Sequence, residues 1–226
     1  MLPEAAWRFV RRWGTAVGTP VRFALRTGHF RSSIAERAVD RRGKPLPWYT
    51  YPAINLVQAG TYTGRTVLEF GGGQSTLWWA ARADRVITIE PSLEWAEMMT
   101  PQLPDNATMI HVPVDFRTRD VSAVKAAIVD CGVEEFDLII VDGHLRLEVA
   151  YMARPMLSAD GAMIFDNADG FDFQKFYASC GMMRVDLYGW SPGVSRQSVT
   201  SICFSSNCFL FRPKKQIFEP EAKFLA

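Results

Sequence analysis

The stretch Thr66–Thr76, TVLEFGGGQST, constrains this chain more than any other. A short apolar run, Val67-Leu68, leads into Glu69. Three consecutive glycines, Gly71, Gly72 and Gly73, follow. Gln74-Ser75-Thr76 then opens an apolar, aromatic helix of Leu77, Trp78, Trp79 and Ala80. The order is strand, glycine turn, helix. Glycine permits a positive φ and lets a ligand approach the main chain. The free N–H groups of the first helical turn can donate to that ligand. The dinucleotide fingerprint G-x-G-x-x-G is not met, because Thr76 stands at the third glycine position after Gly71 and Gly73. A structural turn and a site for some other nucleotide are both compatible with these residues alone.

The 226 residues suffice for one α/β domain with an extension. The four cysteines, Cys131, Cys180, Cys203 and Cys208, form no C-x-x-C pair, so neither a disulfide frame nor a zinc site is expected. No run of about 20 apolar residues suggests a membrane span, and the N-terminus lacks the apolar core of a signal peptide. A cytoplasmic location is the expectation. Charge is unevenly spread. Residues 1–44 hold ten Lys/Arg and three acids, so this segment is +7 within a chain of net charge +1. Such asymmetry fits an anionic partner or a membrane surface. It also fits a solvated helical face docked on an acidic body. Basic residues without a recognition motif do not indicate nucleic acid.

Along the chain, Trp7, Phe9, Val10 and Trp13 among arginines predict an amphipathic helix over 4–13, broken by Gly14, Gly18 and Pro20. Short helices are expected over 20–27 and 34–39. A helix from Thr50 as N-cap to about Ala59 follows the aromatic cluster Trp48-Tyr49-Thr50-Tyr51. From Thr66 the pattern alternates. Strands read as 66–70, 85–90, 107–111, 136–142 and 161–166, with helices over 74–83, 92–100, 119–131 and 145–157. A helix near 171–180 precedes strands at about 182–189 and 199–211. Continuous apolar runs such as Leu138-Ile139-Ile140-Val141 suit strands buried on both faces. The fold class is therefore α/β: a doubly wound, mostly parallel sheet with helices on both faces and a helical N-terminal extension. The expected organisation is an extension over 1–59, a ligand-binding domain over 60–212 and a tail over 213–226.

In such a sheet, ligands sit at the carboxyl ends of the strands. The first strand ends in Glu69 and the glycines. The second ends in Glu90, whose two oxygens match a vicinal diol such as ribose. The fourth ends in Asp142-Gly143-His144 and the fifth in Asp166-Asn167. Asp142, Asp166 and Asn167 together offer hard oxygen ligands of the kind that Mg²⁺ or Ca²⁺ takes.

The pattern Glu69-x-Gly71-x-Gly73 resembles motif I of the class I S-adenosylmethionine-dependent methyltransferases. That resemblance covers roughly 60–212 and implies a seven-stranded sheet with an antiparallel last strand. It implies that Glu69, Gly71, Gly72, Gly73 and Ser75 hold the methionine end of S-adenosylmethionine. Glu90 would hold ribose, Asp115 would meet the adenine amino group, and Asp142 would face the reaction centre. The set Asp142, Asp166 and Asn167 is similar to the divalent-cation site of catechol and caffeoyl-CoA O-methyltransferases. Those enzymes carry a lysine base where this chain has Leu145, which leaves His144 as the candidate base beside Asp142. Class I enzymes build a substrate lid before motif I. Trp48, Tyr49 and Tyr51 are candidates for it, as is Trp190 from the turn before the last strand. The whole chain also looks like bacterial methyltransferase-like proteins, through Gly28-His29-Phe30-Arg31-Ser32, Pro47-Trp48-Tyr49-Thr50-Tyr51-Pro52-Ala53 and Asp186-Leu187-Tyr188-Gly189. The expected function is methyl transfer from S-adenosylmethionine to a small-molecule acceptor, most readily at oxygen. A dinucleotide-binding oxidoreductase and a non-catalytic module with a basic N-terminal arm are the alternatives.

Overall fold

In the computed structural model, residues 4–211 are described. The expected tail over 213–226 lies outside them. Among the described residues, seven strands form one sheet: β1 (Thr66–Phe70), β2 (Arg85–Glu90), β3 (Ala107–His111), β4 (Phe136–Val141), β5 (Leu157–Phe165), β6 (Met183–Trp190) and β7 (Gln197–Phe204). Their order is β3-β2-β1-β4-β5-β7-β6. The first five are parallel, and β7 runs antiparallel to both β5 and β6. The order reverses between β1 and β4, which opens a crevice beyond their carboxyl ends.

Among the described residues, eight α-helices flank or precede the sheet: α1 (Glu4–Thr27), α2 (His29–Ala35), α3 (Tyr51–Val57), α4 (Gln74–Ala80), α5 (Leu93–Met99), α6 (Ser122–Asp130), α7 (Arg146–Ala153) and α8 (Gln174–Ser179). Side chains alternate across a strand, and the sheet uses both faces. Val67, Val86, Leu138, Ile140 and Ile164 pack with Tyr49, Ile54, Tyr62 and Trp79 on one side. Leu68, Ile87, Ile139, Val141 and Phe165 pack with Ile128, Val149, Phe173 and Phe176 on the other. Burial on two faces is why these strands read as unbroken apolar runs.

Three expectations need correction. The helix expected over 34–39 is instead α2, His29–Ala35, and Val39 forms a bridge with Pro45. Residues 4–27 form one helix, with Gly14, Gly18 and Pro20 inside it. Each of these residues disfavours a helix locally, but the polar and apolar faces continue in phase across all three. The last strand ends at Phe204, not 211. After it the chain turns, and Phe209–Phe211 forms a single 3₁₀ turn whose Phe209 and Leu210 are buried.

The extension is stitched to the antiparallel edge of the sheet. Thr50 sits at the N-cap of α3, but its side chain does not cap it. Instead its hydroxyl donates to the Leu187 carbonyl at 2.8 Å, and its N–H donates to Thr200 Oγ1 at 2.9 Å. Thr200 in turn donates to Asp166 Oδ1 at 2.9 Å. Trp48 Nε1 donates to the Pro192 carbonyl at 2.8 Å. These bonds carry Trp48 to the carboxyl-end crevice.

Candidate functional site

The glycine turn is held in a narrow geometry. Gly71 has φ +87°, and its N–H donates to the Ile89 carbonyl at 2.9 Å. A Cβ there would lie 2.7 Å from Gly143 Cα and 2.8 Å from Gly143 N. Strands β1 and β4 thus cross their loops at van der Waals distance only because both positions are glycine. Gly73 is different. It is extended, and a Cβ there would meet only Trp95 Cζ2, at 3.8 Å.

Behind the turn, Glu69 is fully buried. Its Oε2 accepts from Thr76 at 2.5 Å and from Thr88 at 2.9 Å, while Oε1 has no partner among the described residues. Burial pushes this carboxyl up to about 7, the neighbouring Ser75, Thr76 and Thr88 hydroxyls oppose the shift, and the Asp142 charge adds to it. The folded chain therefore keeps a proton that the unfolded chain releases near 4.5. Stability is greatest below that value, falls as pH rises and is fully reduced above about 7, for a total of about 3 kcal/mol. Urea unfolding at about pH 5 and about pH 8 is expected to show this loss. In Glu69→Gln, which mimics the protonated acid, this part of the loss is expected to vanish.

Glu90, at the end of β2, is buried. Its Oε2 accepts from Gly72 N and its Oε1 from Ser92 N, both at 2.9 Å. Each oxygen keeps a further lone pair for a ligand. Trp95, in the first turn of α5, donates from Nε1 to the Gly72 carbonyl at 2.7 Å and so lays its indole beside the turn. These groups line a cavity of 610 Å³ that also includes Gly71, Gly73, Gln74, Ser75, Asp142 and His144. Its size is within the range of small-molecule and cofactor sites.

Arg146 organises the other wall. Its Nη2 donates to the Asp142 carbonyl at 2.9 Å and pairs with Asp142 Oδ1 at 3.0 Å. Its Nε donates to the Gly143 carbonyl at 3.0 Å, and its Nη1 bonds the Asp166 carbonyl. The guanidinium also stacks on Phe171, 4.7 Å from the ring centre. Burial pushes the Asp142 carboxyl up, and Arg146 pulls it back. Asp166 is raised further, by burial and then by the charge of Asp142.

Asp142, Asp166 and Asn167 do come together, around a second cavity of 190 Å³ with Trp48, Ser191, Val194, Arg196 and Ser198. The expected Mg²⁺ or Ca²⁺ fits this set poorly. Asp142 Oδ1 is already paired with Arg146, and Asp166 Oδ1 already accepts from Thr200. Among the described residues, no group of three His, Cys, Asp or Glu is arranged to hold a metal. A fixed guanidinium supplies the positive charge at this edge.

Other expected site residues divide clearly. Trp48 lines both cavities. His144 lines the larger one and meets Phe116 edge-on, with ring centres 4.9 Å apart. Asp115 lines neither. It is exposed, and its Oδ1 caps its own loop by accepting from Arg117 N at 2.8 Å. Tyr49 is fully buried, its hydroxyl accepting from Trp79 Nε1 at 3.2 Å, so it is core and not lid. Tyr51 is buried between Phe23 and His29, where it anchors the end of α1. Trp190 is half exposed on the outer strand β6 and lines neither cavity. Sequence reasoning missed Trp95, Arg146, Ser191 and Arg196. Arg146 carried the one usable signal, a cation four residues after Asp142.

No protein-family model matches the sequence, and no curated protein matches it. Solved structures do. The chain is similar to a precorrin-6y C5,15-methyltransferase from Geobacter metallireducens, at 13% identity and a TM-score of 0.50, over 77% of this chain and 96% of that one. It is also similar to a methyltransferase-like protein from Silicibacter pomeroyi, at 18% identity and a TM-score of 0.49, over 71% and 89%. The chain thus has the Rossmann-like fold of the class I methyltransferases.

Proposed function

We propose that this protein transfers a methyl group from S-adenosylmethionine to an oxygen of a small polar molecule. The observation that carries this reading is the pair of adjoining cavities, which share Trp48 and Asp142. The larger gathers the glycine turn, Ser75 and Glu90 and suits the cofactor. The smaller is polar and suits the acceptor. Bound in the larger cavity, S-adenosylmethionine would supply an electrophilic methyl group at the junction.

The chain's own residues do the rest. The open space over Gly73 admits the methionine end, with the unpaired Glu69 Oε1 buried behind it. Glu90 accepts the ribose hydroxyls while holding the turn through Gly72 and Ser92. Ser191 lines the acceptor cavity with a buried hydroxyl that has no partner among the described residues. Such a group gains a full hydrogen bond from a ligand, and Arg196 adds a cation beside it. Asp142, which lines both cavities, takes the acceptor proton, and the enzyme's main contribution is alignment of nucleophile and methyl group. Trp48, carried by the segment before α3, closes the acceptor side. The reading uses no metal, since Arg146 already neutralises Asp142.

Isothermal calorimetry tests the assignment residue by residue. Glu90→Ala is expected to weaken S-adenosylmethionine binding by roughly tenfold or more, the worth of a charged hydrogen bond. Asp115→Ala is expected to leave binding within about twofold, and EDTA to leave it unchanged. Equal losses in the two variants would contradict the placement of the cofactor.

A further inference from the structure

The helix α1 takes no part in either cavity. At 24 residues it is roughly 36 Å long. Every residue from Trp7 to Phe23 is exposed, on both faces. The helix is held at its C-terminal end, where Phe23 meets the Tyr51 ring edge-on at 5.2 Å. The rest stands off the body.

Its surface is sharply divided. At 3.6 residues per turn, Arg8, Arg11, Arg12, Arg22 and Arg26 all fall within an arc of about 100°. Glu4 is the one acid of the helix and lies on that same arc. On the opposite side, Trp7, Phe9, Val10, Trp13, Val17 and Val21 span an arc of about 160° and are each more than half exposed. Five arginines rule out a spanning role, and among the described residues no helix is long and apolar enough to cross a membrane.

We infer that α1 is an interfacial helix that docks this protein on an anionic phospholipid surface. A bilayer interface satisfies both arcs at once. Tryptophan, phenylalanine and valine enter the acyl boundary, while the arginines meet the phosphates. A second copy of the chain satisfies neither. Pairing two α1 helices would cover only a narrow seam of the wide apolar arc and would leave both arginine arcs without an anionic partner. Nucleic acid would neutralise the arginines but leave both tryptophans in water. The basic residues continue past the helix in Arg31, Arg37, Arg41, Arg42 and Lys44, which adds to the attraction. This inference is independent of the methyl-transfer reading.

The test is co-sedimentation of the full chain with vesicles of phosphatidylcholine alone, or mixed with phosphatidylglycerol at about 3:1. Binding is expected to the mixed vesicles only, and to weaken as salt rises. Reversing three charges (Arg8→Glu, Arg11→Glu, Arg12→Glu) is expected to cut partitioning roughly 100-fold. Trp13→Glu with Val17→Glu is expected to abolish it. These side chains touch solvent, so both variants should melt at the wild-type temperature. Equal binding to neutral and anionic vesicles would overturn the inference. So would retained binding in the Trp13→Glu, Val17→Glu variant. Absence of vesicle binding, with or without a dimer in light scattering, would overturn it as well.

Discussion

Gly71→Ala is expected to lower stability by about 2–4 kcal/mol and to weaken S-adenosylmethionine binding at least 100-fold. Two costs add. The residue sits at φ +87°, where an L side chain is strained. Its new Cβ would also press on the Gly143 backbone at 2.7 Å, and backbone gives way less readily than a side chain. Relief requires β1 and β4 to part at their carboxyl ends, where the cavity is formed. Gly73→Ala is the matched control. That position is extended and its Cβ would meet nothing closer than 3.8 Å, so the fold should lose no more than about 1 kcal/mol. The added methyl still enters the cavity, so binding should fall while the melting temperature holds. Thermal melts and calorimetry on the two variants separate strain in the scaffold from loss of ligand space.

The second large effect is expected from Arg146→Met. One guanidinium bonds three carbonyls and the Asp142 carboxylate, and it is mostly buried. Removing it leaves Asp142 facing Asp166 with no cation between them. The cost of an uncompensated charge in such a place is about 3 kcal/mol. Adding Asp142→Asn should recover a good part of that loss, because the repulsion with Asp166 disappears with the charge. A double-mutant cycle by urea unfolding would measure this coupling. Simple additivity of the two substitutions would show that Arg146 acts through the carbonyls alone.

Much of the frame was legible because the sheet is buried on both faces. Unbroken runs such as Val86-Ile87-Thr88-Ile89 mark strands covered on both sides, and β1, β2 and β3 span the expected 66–70, 85–90 and 107–111. The cavity residues Gly71, Gly73, Glu90 and Asp142 were legible for a related reason, since topology alone brings strand ends to one edge. The failures have physical causes too. Gly14, Gly18 and Pro20 looked like breakers, yet α1 runs through all three with its polar and apolar faces in phase, the arrangement that docking at an interface uses. Tyr49, Tyr51 and Trp190 are all aromatic and near a turn, and only the docking of the extension decides which faces a ligand. It buries Tyr49 under Trp79 and Tyr51 under Phe23, and leaves Trp48 at the cavities. Asp166 and Asn167 suggested a metal because their chemistry is right. Thr200, which occupies the Asp166 carboxylate, comes from another part of the chain and meets it only in three dimensions, whereas Arg146 lies four residues after the Asp142 it pairs with.

The central claim is that the cavity above the glycine turn binds S-adenosylmethionine. Calorimetric titration of the full chain with S-adenosylmethionine, with NAD as the competing ligand, tests it most directly. Saturable binding of S-adenosylmethionine at micromolar concentrations is expected, with no heat from NAD. Binding of NAD in its place would turn the site into that of a dinucleotide enzyme, and binding of neither would leave the glycine turn as scaffold.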